Sequence, residues 1–155
     1  MSVELGDKVP AFDLPASLGR RVSAASLLGQ FYVVYFYPKA DTPGCTKEAC
    51  GFEEALAALG HTGLTVIGIS KDKITALEKF AEKYGLKFPL ASDLDGQVVE
   101  AFGAWVEKSM YGRKYMGIDR STFLIGKDGR IAQIWRNVKV PGHATAVIDA
   151  AKALG

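Results

Sequence analysis

The segment FYVVYFYPKADTPGCTKEAC, Phe31 to Cys50, decides the fold because it joins a buried strand to a helix through a short loop. Its first seven residues, Phe31 to Tyr37, are all apolar or aromatic, which is typical of a central β-strand and too short to cross a bilayer. Thr42 and Pro43 are typical of a helix start, because threonine caps well and proline fits the first helical position. The predicted helix runs from about Pro43 to Leu59, and its apolar face is made of Ala49, Phe52, Leu56 and Leu59.

Outward from this segment, strands and helices alternate along the chain. A second buried strand, Leu64 to Ser70, precedes a helix from about Lys73 to Tyr84, which Gly85 can end. Further on, STFLIG and IAQIWR flank residues 127–129, Lys-Asp-Gly, which is a strong signal for a β-hairpin. The last helix begins near His143. The remaining predicted strands are the short segments AFDL, RRVS and FPLAS.

This order of elements predicts an α/β protein with a thioredoxin-like fold, in which helices flank both faces of a central mixed β-sheet. We expect residues 1–155 to form a single domain of this fold. A flavodoxin-like sheet is the structural alternative, but it would need more parallel strands and would have no closing hairpin. The segment from Trp105 to Gly117 has two interpretations, a surface loop that docks an electron donor and a packed lid.

Charge and the N-terminal sequence argue against several classes of protein. The 19 Lys and Arg against 17 Asp and Glu give a net charge of +2, and no basic cluster exceeds GRR at residues 19–21, so nucleic acid is not an expected partner. The first ten residues carry no basic patch before an apolar segment, as a signal peptide would, and no apolar run suits a membrane span. We therefore expect a cytoplasmic protein in a reducing compartment, where close cysteine pairs are more often catalytic or metal-binding than structural.

Cys45 is predicted to lie in the first turn of the helix that begins at Pro43. Backbone N–H groups at that end point outward and the helix dipole is positive, so both favour a thiolate over a thiol. The loop before this helix follows a central strand, at the carboxyl edge of the sheet where α/β proteins bind their ligands. The sequence therefore predicts an activated cysteine in a pocket that accepts anions.

Cys50, the second of the two cysteines in the chain, lies five residues after Cys45 in the same predicted helix. A regular helix places the two Cα atoms about 8.6 Å apart. A disulfide needs Cα atoms within roughly 6.8 Å, so the helix start must unwind before the thiols can bond. Gly51, directly after Cys50, favours unwinding because glycine costs a helix about 1 kcal/mol relative to alanine. This arrangement fits a redox cycle in which one thiolate is oxidised to a sulfenic acid, a peroxide being the natural oxidant, and the second thiol then forms a disulfide.

The segment from Pro38 to Cys45, PKADTPGC, resembles the peroxiredoxin active-site pattern Pro-x-x-x-Thr-x-x-Cys. With a second cysteine five residues on, the chain resembles the peroxiredoxin Q, or bacterioferritin comigratory protein, subfamily. The likeness covers the whole chain. It includes GDKVPAFDLP near the start, FGAWVEKSMYGRKYMGIDRSTFLIGKDG in the later half and VPGHATAVIDA in the last helix.

The resemblance implies a role for each residue of the site. Cys45 would be the peroxidatic cysteine and Cys50 the resolving cysteine, with an intramolecular disulfide between them. Thr42 would hydrogen-bond the thiolate and the bound peroxide through its hydroxyl, and Arg120 would favour the thiolate and orient the peroxide. The residues implied to shape the site are Pro38, which would shield it from water, Gly44, and Glu48, which would brace the arginine.

The resemblance also implies the partners. Hydrogen peroxide and alkyl hydroperoxides would be the substrates, and thioredoxin or a similar dithiol protein would reduce the disulfide. No metal, flavin or haem is implied, and a resolving cysteine in the same chain implies a monomer.

Three alternatives stay open from the residues themselves. A protein disulfide oxidoreductase is one, although that class normally has two residues between its cysteines and here there are four. A non-catalytic thioredoxin-fold binding module is the second, although it would need no capped cysteine. A zinc site on the two cysteines, His61 and His143 is the third, but neither histidine lies at a finger-like spacing from another ligand.

Overall fold

The computed structural model describes residues 3–60 and 63–154, which form a seven-stranded sheet, a separate two-stranded hairpin and five helices. The strands are β1 (Asp13–Ala16), β2 (Arg20–Ser23), β3 (Tyr32–Phe36), β4 (Thr65–Ser70), β5 (Leu90–Ser92), β6 (Trp105–Met110), β7 (Arg113–Ile118), β8 (Ser121–Ile125) and β9 (Ile131–Trp135). The helices are α1 (Ala24–Leu27), α2 (Pro43–Ala58), α3 (Ile74–Tyr84), α4 (Gln97–Ala101) and α5 (His143–Leu154). None of the described helices is both long and apolar enough to span a membrane.

The large sheet has the strand order β2-β1-β5-β4-β3-β8-β9. Strand β4 runs parallel to β3 and to β5, whereas β8 is antiparallel to β3 and β9 is antiparallel to β8. The sheet is therefore mixed, with a parallel βαβ unit followed by the closing hairpin that the sequence predicts.

Strand β3 lies in the middle of the sheet and is fully buried, as its apolar sequence predicts. Because side chains alternate along a strand, Val33 and Tyr35 face the cluster that also contains residues of α2, α3 and α5. Val34 and Phe36 face the opposite cluster, which contains residues of α1 and α4. Helices thus flank both faces, and the predicted thioredoxin-like fold is confirmed.

Helix α2 begins at Pro43 after Thr42, as predicted, but the threonine side chain does not cap it. The Thr42 hydroxyl instead donates to the carbonyl of Lys39 at 2.8 Å, because the tight turn before the helix brings that carbonyl within reach. The predicted end of α3 is confirmed, since Gly85 has the left-handed backbone, φ 63°, that glycine adopts without strain.

The segment from Trp105 to Gly117 is neither the loop nor the lid expected, but the hairpin of β6 and β7. Tyr111 and Gly112 form its two-residue turn with φ of 52° and 78°, as a type I′ turn requires. Away from the Trp105 and Ile118 end of the hairpin, its apolar side chains are exposed to solvent. The sequence therefore shows no alternation of apolar and polar residues that would predict two strands. The exposed ones are Met110, Tyr111, Tyr115 and Met116.

Candidate active site

The candidate site lies where β3 ends and α2 begins, at the carboxyl edge of the parallel strands. Strand β8 pairs antiparallel with β3, and Ser121 lies opposite Phe36, the last residue of β3. The residue before Ser121 is Arg120, so the sheet brings this arginine to Cys45 across 75 positions of sequence. We call residues 38–42, between β3 and α2, the active-site loop.

Cys45 is buried, with 2% of its surface exposed, and its sulfur has a cationic hydrogen-bond donor. Arg120 Nη2 donates to Cys45 Sγ at 3.3 Å. A guanidinium at this distance stabilises the negative charge of a thiolate, and the N-terminus of α2 acts in the same direction. The sequence placed Cys45 at the helix start correctly, and the tertiary structure adds the arginine.

Glu48 holds the other side of the guanidinium, since Arg120 Nη1 donates to Glu48 Oε1 at 2.6 Å. One end of Arg120 is thus fixed on a carboxyl group and the other on the sulfur. Burial raises the pKa of Glu48 to about 7, and the adjacent Arg120 only partly opposes that rise. Glu48 Oε2 is buried and has no hydrogen-bond partner among the described residues, which agrees with a carboxyl group that is costly to charge.

Gly44 leaves the space that the guanidinium occupies. A Cβ atom at this position would lie 3.3 Å from Arg120 Nη2, tighter than most real contacts. A larger residue would push the donor away from the sulfur. The structure thus brings Gly44, Cys45, Glu48 and Arg120 together.

The predicted site residues Thr42 and Pro38 do not share in the contacts that join Gly44, Cys45, Glu48 and Arg120. Because the Thr42 hydroxyl donates its one proton to Lys39, it has none for the sulfur, which corrects the expected hydrogen bond to the thiolate. Its oxygen can still accept a hydrogen bond from a ligand. Pro38 lies two residues after the end of β3 and is exposed to solvent, so it borders the site from outside.

Cys50 lies in the same helix as Cys45, and both sulfurs are free thiols. Burial, with the nearby Glu54 and Glu53, raises the pKa of the Cys50 thiol. Burial and these two carboxylates therefore disfavour the thiolate of Cys50 while α2 is intact. Since a regular helix holds the two Cα atoms about 8.6 Å apart, a disulfide needs part of α2 to unwind.

Asp72 helps to hold the active-site loop, and the sequence did not predict this role. Its Oδ2 accepts hydrogen bonds from Ala40 N at 2.8 Å and from Ser70 Oγ at 2.7 Å, so it ties the active-site loop to the end of β4. The signal was present in the segment SKD, residues 70–72, since polar residues directly after a buried strand lie at the carboxyl edge.

His143 is a core residue at the start of α5. It shares a hydrogen bond of 2.8 Å with Thr122 Oγ1, and burial, aided by Arg120, lowers its pKa to about 4. Among residues 3–60 and 63–154, no three His, Cys, Asp or Glu side chains cluster as a metal site would require. His61 lies outside the described residues.

Stability is expected to fall with rising pH through Glu48. Its pKa is about 7 in the folded chain against 4.5 as the ordinary value, so folding takes up a proton between these values. From pH 5 to pH 8, the free energy of unfolding should drop by on the order of 1–3 kcal/mol more in the wild type than in Glu48→Gln. Urea unfolding at both pH values measures this difference, and equal drops in the two proteins would contradict it.

Comparison with known proteins gives consistent matches over most of the chain. A family model described as the AhpC/TSA family matches residues 5–134. The peroxiredoxin Bcp of Escherichia coli K12 is 46% identical over 147 residues, covering 95% of this chain and 94% of that protein.

Two solved structures are similar in both fold and sequence. A cysteine-to-serine mutant of PrxQ from Xylella fastidiosa has a TM-score of 0.91 and 38% identity, covering 99% of this chain and 98% of that one. The bacterioferritin comigratory protein of Xanthomonas campestris, described for its alkyl peroxide reduction activity, has a TM-score of 0.85 and 42% identity. That match covers 92% of this chain and 90% of the Xanthomonas chain.

Proposed function

Because the chain belongs to the AhpC/TSA family, among the Bcp and PrxQ peroxiredoxins, we propose that Cys45 is its peroxidatic cysteine and Cys50 its resolving cysteine. The protein is a thiol-dependent peroxidase, which reduces peroxides at the expense of a thiol reductant. The observation that carries the assignment is the hydrogen bond of 3.3 Å from Arg120 to the sulfur of Cys45, at the start of the helix that also holds Cys50.

In the first step, the Cys45 thiolate attacks one peroxide oxygen and the O–O bond breaks. The sulfur becomes a sulfenic acid, and the second oxygen leaves as hydroxide or alkoxide and takes a proton from water. Arg120 stabilises the negative charge as it moves from sulfur to the leaving oxygen. The Thr42 oxygen accepts a hydrogen bond from the peroxide O–H, because its own proton is held by Lys39.

In the second step, the start of α2 unwinds and Cys50 reaches the sulfenic acid. The Cys50 thiol gives up its proton, its sulfur bonds to Cys45 Sγ, and the S–O bond breaks. The released hydroxide and that proton form water, which leaves an intramolecular disulfide. A dithiol protein then returns both cysteines to thiols and is itself oxidised to a disulfide.

Thioredoxin or a similar dithiol protein is our proposed reductant, with hydrogen peroxide and alkyl hydroperoxides as substrates. We propose a monomer, since both reacting cysteines belong to one helix of one chain. We also propose that residues 1–155 form a single domain, because the seven-stranded sheet includes both the first strand, β1, and the last, β9. A cytoplasmic location fits this chemistry, which depends on a supply of reduced dithiols.

The peroxidase function is supported over the two alternatives. The named relatives are peroxiredoxins, which favours a peroxidase over a protein disulfide oxidoreductase. A non-catalytic binding module would need neither the buried arginine beside Cys45 nor the carboxyl group that holds it.

One equivalent of hydrogen peroxide added to the reduced protein is expected to consume both thiols within minutes. The intact mass should fall by two hydrogens, and the cysteine-containing peptides should be joined by a disulfide between Cys45 and Cys50. A Cys45→Ser variant is the control and should leave the peroxide untouched. If the wild type does not consume peroxide, the proposed residue roles are wrong.

A further inference from the structure

The active-site loop is clasped by the end of α3, through residues to which the proposed mechanism gives no role. Lys83 Nζ lies 3.2 and 3.0 Å from the two carboxylate oxygens of Asp41. Tyr84 Oη donates to Asp41 Oδ1 at 2.9 Å. We call Asp41, Lys83 and Tyr84 the clasp.

The backbone of Asp41 indicates that the clasp holds the loop in a specific shape. Its φ of 61° is in the left-handed region, which few residues other than glycine adopt and which persists where surrounding contacts maintain it. Aspartate tolerates this conformation better than most residues. The next residue is Thr42, which has an extended backbone, φ −97° and ψ 156°, as a helix N-cap requires.

Tyr84 is the rigid half of the clasp. Its ring packs edge-on against Phe80 at 5.5 Å between centroids, and Phe80 is buried in the core. The hydroxyl of Tyr84 is therefore a fixed point relative to the sheet. Lys83 is exposed, so its ion pair with Asp41 is screened by solvent and contributes less.

Each residue from 39 to 41 thus has its own hydrogen-bond partner. The Lys39 carbonyl accepts from the Thr42 hydroxyl, Ala40 N donates to Asp72, and the Asp41 carboxylate is bound by the clasp. The loop is thus held before Cys45 begins to react, and Asp72 holds it from the β4 side of β3, whereas Arg120 lies on the β8 side. This arrangement positions the Thr42 oxygen relative to the sulfur without help from the substrate.

We propose that Asp41 is a positioning residue for peroxide reduction, which holds the Thr42 oxygen in place through its contacts with Tyr84 and Lys83. This inference rests on the proposed function. It assigns the clasp to the first step, attack on the peroxide, where reacting atoms must be aligned. It gives the clasp no part in the second step, which depends on unwinding of α2 beyond Thr42.

Substitutions in the clasp distinguish the effect of the Asp41 carboxylate from the effect of the left-handed backbone at this position. Asp41→Gly keeps the left-handed conformation and removes the carboxylate. Since a misplacement of about 1 Å can cost about 100-fold, the partial loosening in Asp41→Gly is expected to slow oxidation of Cys45 about tenfold. Tyr84→Phe should slow it less, and the double variant should be no slower than Asp41→Gly, because the two residues act as one unit. Asp41→Asn keeps an acceptor for Tyr84 and should restore most of the rate.

Rapid quenching with a thiol-blocking reagent, followed by intact mass, gives the rates of sulfenic acid and disulfide formation separately. Only the first rate should fall in Asp41→Gly, whereas a general loss of structure would alter both. Lys83→Met and Lys79→Met provide a matched pair one helical turn apart, and only the former should slow oxidation. Oxidation of Asp41→Gly at the wild-type rate, or equal slowing of both steps, would overturn the proposal while leaving the peroxidase function intact. A wild type that does not react would overturn both.

Discussion

A Cys50→Ser variant is expected to consume one equivalent of hydrogen peroxide and to stop at the sulfenic acid of Cys45. Serine preserves the size and the helix but has no sulfur to attack the oxidised cysteine, so the intramolecular disulfide is lost completely. Intact mass should show the addition of one oxygen, and a dimedone-type reagent should label Cys45. The wild type treated in the same way should instead lose two hydrogens.

The Cys50→Ser variant also tests whether disulfide formation unwinds the start of α2. In the wild type, oxidation must unwind the start of α2, because an intact helix holds the two Cα atoms too far apart for a bond. Amide hydrogen exchange between Thr46 and Glu54 should therefore be faster in the oxidised wild type than in the reduced protein. Cys50→Ser should keep this segment protected after peroxide treatment. Equal protection in reduced and oxidised wild type would show that the cysteines bond without unwinding.

Replacing Arg120 by methionine is expected to slow the oxidation of Cys45 by about 100- to 1,000-fold, the usual cost of removing one donor aimed at developing charge. Methionine has a similar length, so most of the packing is retained. The loss has two sources, since Arg120 donates to the thiolate and also stabilises the leaving oxygen. Arg120→Lys should recover only part of the rate, because an ammonium cannot contact Glu48 and the sulfur with two fixed donors.

The rate of Cys45 oxidation at several peroxide concentrations gives the second-order rate constant for each variant. Arg113→Met is the matched control, since this arginine lies on the exposed part of β7, and its rate constant should equal that of the wild type. Circular dichroism of Arg120→Met should resemble that of the wild type. A rate constant within a factor of about three of the wild type would remove Arg120 from the mechanism.

Local signals in the sequence predicted most of the fold. The apolar run of β3, the Thr42-Pro43 helix start, Gly85 at the end of α3 and the hairpin after β8 each depend on neighbouring residues alone. The β6–β7 hairpin was missed because few of its side chains are buried. Two strands that pair without burying one face show no alternation of apolar and polar residues in the sequence. The prediction that the Thr42 side chain caps α2 was wrong, because the tight turn before the helix places the Lys39 carbonyl within reach of the hydroxyl.

The sequence by itself determined the α/β fold and the placement of Cys45 at a helix start, with Cys50 farther along the same helix, because spacing along a helix is a local property. Only the tertiary structure brought Arg120 to the sulfur, Glu48 to Arg120, and Tyr84 to Asp41. These contacts join residues 43 to 75 positions apart, and they form because β8 pairs with β3 and α3 ends beside the active-site loop. No local spacing encodes such pairs, since strand order and helix packing decide which distant side chains meet.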